Sequence, residues 1–167
     1  ESGEAQGGSV LAYSPHRLIE CEMAVTVSAD GSPIEVGPAV EFVSLDFARP
    51  EDMTPGNVTL CNLGADQFIR GEMTPWDDFD FDDLSSLEIV VTRDGETLLT
   101  ASPMDSLGGP KTAHEWCMTK AKSLGFHLPD GGILLAGTNG SALPGEPGNY
   151  EIHYGHLGSI RFSISGT

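Results

Sequence analysis

The chain has 167 residues, enough for one domain with a buried core, and 39% of them are apolar. Twenty-five acidic against eight basic residues give a formal net charge of −17. That charge leaves no basic footprint for nucleic acid and disfavours an anionic membrane surface; its plain reading is solubility or salt tolerance. The 21 glycines and 11 prolines point to a turn-rich, β-rich fold. Three cysteines (Cys21, Cys61, Cys117) without CxxC spacing suit neither a disulfide framework nor a zinc knuckle. Each is expected to be a small buried apolar side chain. No run is long and apolar enough to span a membrane, so a cytoplasmic protein is the expectation.

Residues 1–17 are predicted to form a flexible tail or residual N-terminal arm, and residues 18–167 a single domain. From Leu18 to Ser28 the sequence alternates. Ile19, Cys21, Met23, Val25 and Val27 share one face; Glu20, Glu22, Ala24 and Thr26 share the other. Asp30-Gly31-Ser32-Pro33 reads as a turn. A second strand is predicted over residues 40–47 and a third over residues 58–61. Between residues 71 and 86, Glu72, Asp77, Asp78, Asp80, Asp82 and Asp83 alternate with Trp76, Phe79 and Phe81. Lacking the twelve-position pattern of a calcium loop, this stretch is expected to be a solvated loop pinned by its aromatics. Asp94-Gly95 between β-rich runs predicts a hairpin.

The one long helical pattern follows Gly108-Gly109-Pro110. Ala113, Trp116, Cys117, Lys120, Ala121 and Leu124 form its expected inner stripe, and Gly125 its left-handed cap. A strand over residues 133–136, a loop from Gly137 to Ser141 and a closing hairpin (150–154 with 159–165) complete the chain.

Glu20 and Glu22, two apart on a strand, project from one face. Like charges so placed raise each other's pKa unless a cation compensates. Mg²⁺ or Mn²⁺, which prefer oxygen ligands, would do so, and Glu41 could supply a third ligand. An exposed sheet face carries such a pair without metal equally well. His16, His114, His127, His153 and His156 are further candidate bases, and surface roles fit them too. His153 shares a strand face with Glu151.

The motifs, taken together, resemble the fumarylacetoacetate hydrolase superfamily on its 2-oxo-acid (2-keto-4-pentenoate) hydratase and decarboxylase side. Ile19-Glu20-Cys21-Glu22-Met23-Ala24 and Pro38-Ala39-Val40-Glu41 resemble its E-x-E-x-A strand and P-A-I-E segment. Gly64-Ala65-Asp66-Gln67 resembles its A-D-N segment, Gly108-Gly109-Pro110 its helix start, and Asp130 to Thr138 its G-D-V-V-L-T-G-[ST] motif. Pro147-Gly148-Asn149 and Gly155-His156-Leu157-Gly158 resemble its closing turns. The resemblance implies a mainly β (α+β) fold: a mixed β-roll or distorted sandwich with one packed helix, fumarylacetoacetase C-terminal-like. It implies Mg²⁺ or Mn²⁺ on Glu20, Glu22 and Glu41, with a substrate-binding loop of Gly137, Thr138 and Asn139. Asp66 and Glu151 are the implied catalytic residues, and His153, on the strand face of Glu151, is the added candidate for proton transfer.

The implied activity is a divalent-metal-dependent lyase (hydratase, decarboxylase or tautomerase) acting on a small 2-oxo or enol carboxylic acid through a metal-stabilised enolate. A carbon–carbon hydrolase is the alternative within the family, although Leu63 stands where the hydrolases carry a lysine. A catalytically silent member that binds a ligand or serves as a partner subunit is the other. The family's N-terminal catalytic portion has no counterpart beyond residues 1–17. The expected partners are a small carboxylate substrate and further copies of the chain, as a homodimer or higher homo-oligomer.

Overall fold

A computed structural model describes residues 3–166. In chain order its elements are strands β1 (Gly3–Glu4), β2 (Val10–Ala12), β3 (Arg17–Val27) and β4 (Pro33–Ser44), then helix α1 (Pro55–Leu60). Strands β5 (Ala65–Arg70), β6 (Thr74–Pro75), β7 (Ile89–Arg93) and β8 (Glu96–Ala101) follow, then helix α2 (Pro110–Ser123). Strands β9 (Gly132–Leu135), β10 (Leu143–Pro144), β11 (Gly148–His153) and β12 (Ser159–Ser165) close the chain.

The strands form two sheets. One has the order β1-β5-β4-β3-β10, with β6 beside β4 and β9 beside β3; the other has the order β2-β12-β11-β7-β8. The alternation along β3 decides how they pack. Ile19, Cys21, Met23 and Val25 join Val36, Val40, Phe42 and Ile69 on the inner face of the first sheet. Ile89, Val91, Tyr150, Ile152, Ile160, Phe162 and Ile164 answer from the second. Phe42 meets Phe162 edge-on across the interface at 4.9 Å, and Tyr150 stacks on Phe162 at 5.0 Å. Each fully buried side chain of this size contributes about 1.5–3 kcal/mol. This is the expected mainly β sandwich with one long packed helix.

Several local expectations change. Two short segments of the expected tail are strands: β1 (residues 3–4) runs parallel to β5, and β2 (residues 10–12) runs parallel to β12. Residues 1 and 2 of the expected tail lie outside the described residues. The expected strand over residues 58–61 is instead the end of α1, with Cys61 as its C-cap, because Pro55 fixes the first turn and the Thr54 side chain accepts from the Asn57 N–H. β4 starts at Pro33, seven positions before the expected strand, despite its prolines. The turn before it is held by Asp30, which accepts from the Ser28 hydroxyl and the Ser32 N–H.

The hairpin between β7 and β8 turns on Asp94 (φ 50°) and Gly95 (φ 87°), both left-handed as a two-residue turn requires. The acidic stretch is pinned by Trp76, Phe79 and Phe81: the Phe81 ring lies 4.6 Å from that of Trp76 and 4.8 Å from that of Phe79. Helix α2 buries Ala113 and His114, while Trp116 and Leu124 of the expected stripe are exposed. Its end is closed by Gly125 (φ 73°), with the Phe126 N–H donating back to the Ala121 carbonyl. Cys21 is buried as expected, but Cys61 is exposed and Cys117 is half-buried.

Candidate metal centre

The antiparallel register of β3 and β4 sets Glu20 directly opposite Glu41 and Glu22 opposite Ala39. Opposed residues share a face, so all three glutamates project from the outer face of the first sheet, away from the core. One carboxylate oxygen from each of Glu20, Glu22 and Glu41 lies within 4.8 Å of the others. Among the described residues this is the one group of three or more His, Cys, Asp or Glu side chains so arranged.

Glu22 is only 1% exposed although it stands on an outer face. The cover is the loop after β9. The Ala136 N–H donates to the Met23 carbonyl and the Asn139 N–H to the Cys21 carbonyl, which lays residues 137–139 along the edge of β3. There the Gly137 N–H donates to Glu22 Oε2 at 2.7 Å. Burial is the main reason why the Glu22 carboxyl is pushed well above the usual carboxylate range; the Gly137 N–H opposes the rise, and the charges of Glu41 and Glu20 add to it. Burial raises Glu41 as well, with Glu20 adding to the effect and a proton shared with Glu22 offsetting it.

A group of oxygens that resists full ionisation in so small a space suits a hard divalent cation, which removes both the repulsion and the proton. Softer ligands are absent from the described cluster. The neighbouring Cys21 points into the core, where burial pushes its thiol up to about 12.

Two supports of this geometry are not evident in the sequence. Ser106, in the turn before α2, donates its hydroxyl to the Ala136 carbonyl and its N–H to Asn139 Oδ1, clamping the loop. It closes on Gly137 so tightly that a Cβ there would stand 2.7 Å from Ser106 Oγ. Tyr154, fully buried, reaches from the second sheet and donates to the carbonyl of Ala39, the residue opposite Glu22. Neither has a local signal, since both contacts span at least 30 residues.

The predicted catalytic residues are not gathered here. Tyr150 and Ile152 face the core, so strand parity turns Glu151 and His153 to the outer face of the second sheet, with both sheets between them and the glutamates. Glu151 pairs with Arg161, directly opposite on β12, and lies 3.2 Å from His153. The arginine holds its carboxyl below the usual range. Asp66 is bound by Arg17 at 2.9 Å. Thr138 does stand beside the cluster, half-buried between Gly137 and the buried Asn139. His114 bonds the Gly31 carbonyl, and His156 and His16 lie 3.4 Å from Asp83 and Asp46.

No protein-family model matches the chain. Among curated proteins, REH2-associated factor 2 of Trypanosoma brucei brucei is 28% identical over 129 residues, which is 77% of this chain and 48% of that protein. The 2-keto-4-pentenoate hydratase of Paraburkholderia phymatum is 34% identical over 84 residues, 50% of this chain and 32% of the hydratase. The chain therefore spans about half the length of the first relative and a third of the second.

Among solved structures, 4-oxalocrotonate decarboxylase from Pseudomonas putida G7, complexed with magnesium and adipate, superposes with a TM-score of 0.83 at 24% identity. The match covers 96% of this chain and 66% of that one. A 2-keto-3-deoxy-D-arabinonate dehydratase complexed with magnesium and 2,5-dioxopentanoate gives a TM-score of 0.66 at 17% identity, over 97% and 58% of the two chains. No described helix is long and apolar enough to cross a membrane. The local sequence matches and the shared architecture agree on the fold: this chain has a fumarylacetoacetate hydrolase-like fold.

Proposed function

We propose that this domain is the metal-binding part of a lyase-type enzyme that acts on a small 2-oxo or enol carboxylic acid, with Mg²⁺ or Mn²⁺ held by Glu20, Glu22 and Glu41. The observation that supports it is the convergence of those three carboxylates within 4.8 Å around a buried Glu22. A divalent cation bound there supplies Lewis-acid stabilisation of the negative charge that develops on an enolate oxygen.

The protein's own groups do the positioning. The Gly137 N–H fixes Glu22, the half-exposed Glu20 and Glu41 leave one side of the cluster accessible, and the adjacent Thr138 hydroxyl holds a substrate oxygen. Glu151 and His153 lie on the far sheet, so we favour decarboxylation, which breaks a carbon–carbon bond without removing a proton from carbon.

Loss of oxaloacetate absorbance, followed with Mg²⁺ and with EDTA, tests the reading. Turnover should require the metal, collapse in Glu20→Ala and fall in Thr138→Ala. The match to REH2-associated factor 2, which covers more of this chain than the hydratase match, favours a second reading: a metal-bearing but catalytically silent partner subunit. Mg²⁺ binding without metal-dependent turnover of any 2-oxo acid in a broad panel would select it.

A further inference from the structure

Helix α2 turns to solvent a face whose chemistry differs from the rest of the chain. All three lysines, Lys111, Lys120 and Lys122, lie on this helix, although acidic residues outnumber basic ones by 25 to eight. Arg17, Arg49, Arg70 and Arg161 are each taken up by a carboxylate. No lysine forms an ion pair among the described residues. Large apolar side chains accompany these free cations. Trp116 is 56% exposed, and Leu124 and Phe126, at the C-terminal end of the helix, are 62% and 67% exposed. Three together on one helix make a patch, and a patch rimmed by charge marks a contact surface.

Helical spacing orders this patch. Glu115 and Lys122, two turns apart, lie on one side of the exposed face, and Trp116 and Lys120, one turn apart, lie on the other. In each pair the lysine is nearer the C-terminus. Two copies of α2 packed antiparallel about a two-fold axis near Thr119 therefore bring unlike groups together, each contact occurring twice. Glu115 faces the partner's Lys122, and the Trp116 indole faces the partner's Lys120 ammonium.

The surroundings repeat the pattern. Lys111 lies over the Phe81 ring at 5.9 Å, and Trp76 meets His114 at 5.5 Å, so the acidic stretch from Asp77 to Asp83 borders the N-terminal half of α2. The antiparallel arrangement carries the lysines and exposed apolar side chains of the other copy's C-terminal half toward that border. The net charge of −17 on each copy opposes association at low salt. At physiological ionic strength charges more than about 8 Å apart are largely screened, and the close unlike pairs decide.

We infer that the exposed face of α2 is a self-complementary docking surface for a second copy of this chain, paired antiparallel about a two-fold axis near Thr119. The surface is independent of the metal site.

Sedimentation equilibrium at physiological salt, with protein up to about 100 µM, tests the inference. Wild type should sediment as a dimer. Lys122→Glu and Glu115→Lys each set like charges across the axis and should weaken association about tenfold or more. An equimolar mixture of these two variants restores both unlike pairs and should regain the dimer. Trp116→Ala should weaken association by about tenfold as well. All three positions are exposed, and far-ultraviolet circular dichroism of each variant should match wild type. A monomeric wild type, a dimer untouched by these substitutions, or a mixture that stays as dissociated as its components overturns the inference, whatever the outcome of the metal-binding experiments.

Discussion

Replacing Glu22 with glutamine should stabilise the metal-free protein while destroying its response to metal. At separations of no more than 4.8 Å and an effective dielectric of about 20, each ionised carboxylate pair costs about 3–4 kcal/mol. The metal-free protein escapes this cost by keeping a proton on the buried Glu22, shared with Glu41. Holding that proton at pH 7 on a group that would ordinarily titrate near 4.3 costs about 4 kcal/mol, which caps the penalty. Glutamine keeps the shape, still accepts from the Gly137 N–H and needs no proton.

Urea unfolding in EDTA should therefore show Glu22→Gln more stable than wild type by about 2–4 kcal/mol at pH 7 to 8. The sign with pH follows from the raised folded-state value. Wild type has this stability in full below the ordinary carboxylate range and loses it as pH rises through the raised value of Glu22, whereas the variant does not. Added Mg²⁺ should restore wild type and leave the variant unmoved. Equal stability of the two proteins in EDTA from pH 5 to 9, or equal stabilisation of both by Mg²⁺, would refute the reasoning.

The same raised carboxyls mean that Mg²⁺ displaces protons: calorimetry at pH 7 in two buffers of different ionisation enthalpy should register proton release, and affinity should climb with pH until Glu22 is ionised, then level off. Gly137→Ala puts a Cβ 2.7 Å from Ser106 Oγ at φ 96° and should weaken Mg²⁺ binding about tenfold, as the N–H that orients Glu22 moves away. Tyr154→Phe removes the buried hydroxyl's bond to the Ala39 carbonyl, which keeps its place in the ladder with β3, and should cost about 0.5–1.5 kcal/mol in urea unfolding. Glu151→Gln and His153→Gln should leave metal binding and turnover unchanged, since both residues face away on the second sheet; a large loss of turnover in either would contradict the placement.

Much of this centre was legible because one strand carries it. The alternation from Ile19 to Val27 assigns core and carboxylate faces without any tertiary knowledge, and Asp94-Gly95 and Gly125 mark their turns by backbone conformation alone. Where the sequence misled, a helix cap or a long-range contact decided the outcome. Val58 to Cys61 is a short apolar run that either structure accommodates, and the Thr54-Pro55 cap settled it as helix. In α2 the expected stripe and the buried face differ by a fraction of a turn, because His114 is drawn inward by the Gly31 carbonyl while Trp116 is left outside. Glu151 and His153 were correctly placed on one strand face. Which face of which sheet that is depends on how the sheets stack, which no local pattern encodes. Ser106 and Tyr154 support the centre through contacts equally invisible to local reading.

The central claim is tested most directly by anomalous diffraction from crystals soaked in Mn²⁺. The account predicts one dominant peak within coordination distance, about 2.0–2.3 Å, of carboxylate oxygens from Glu20, Glu22 and Glu41. A dominant peak among Asp77, Asp78, Asp80, Asp82 and Asp83 instead, or none at the three glutamates in fully loaded crystals, would contradict it.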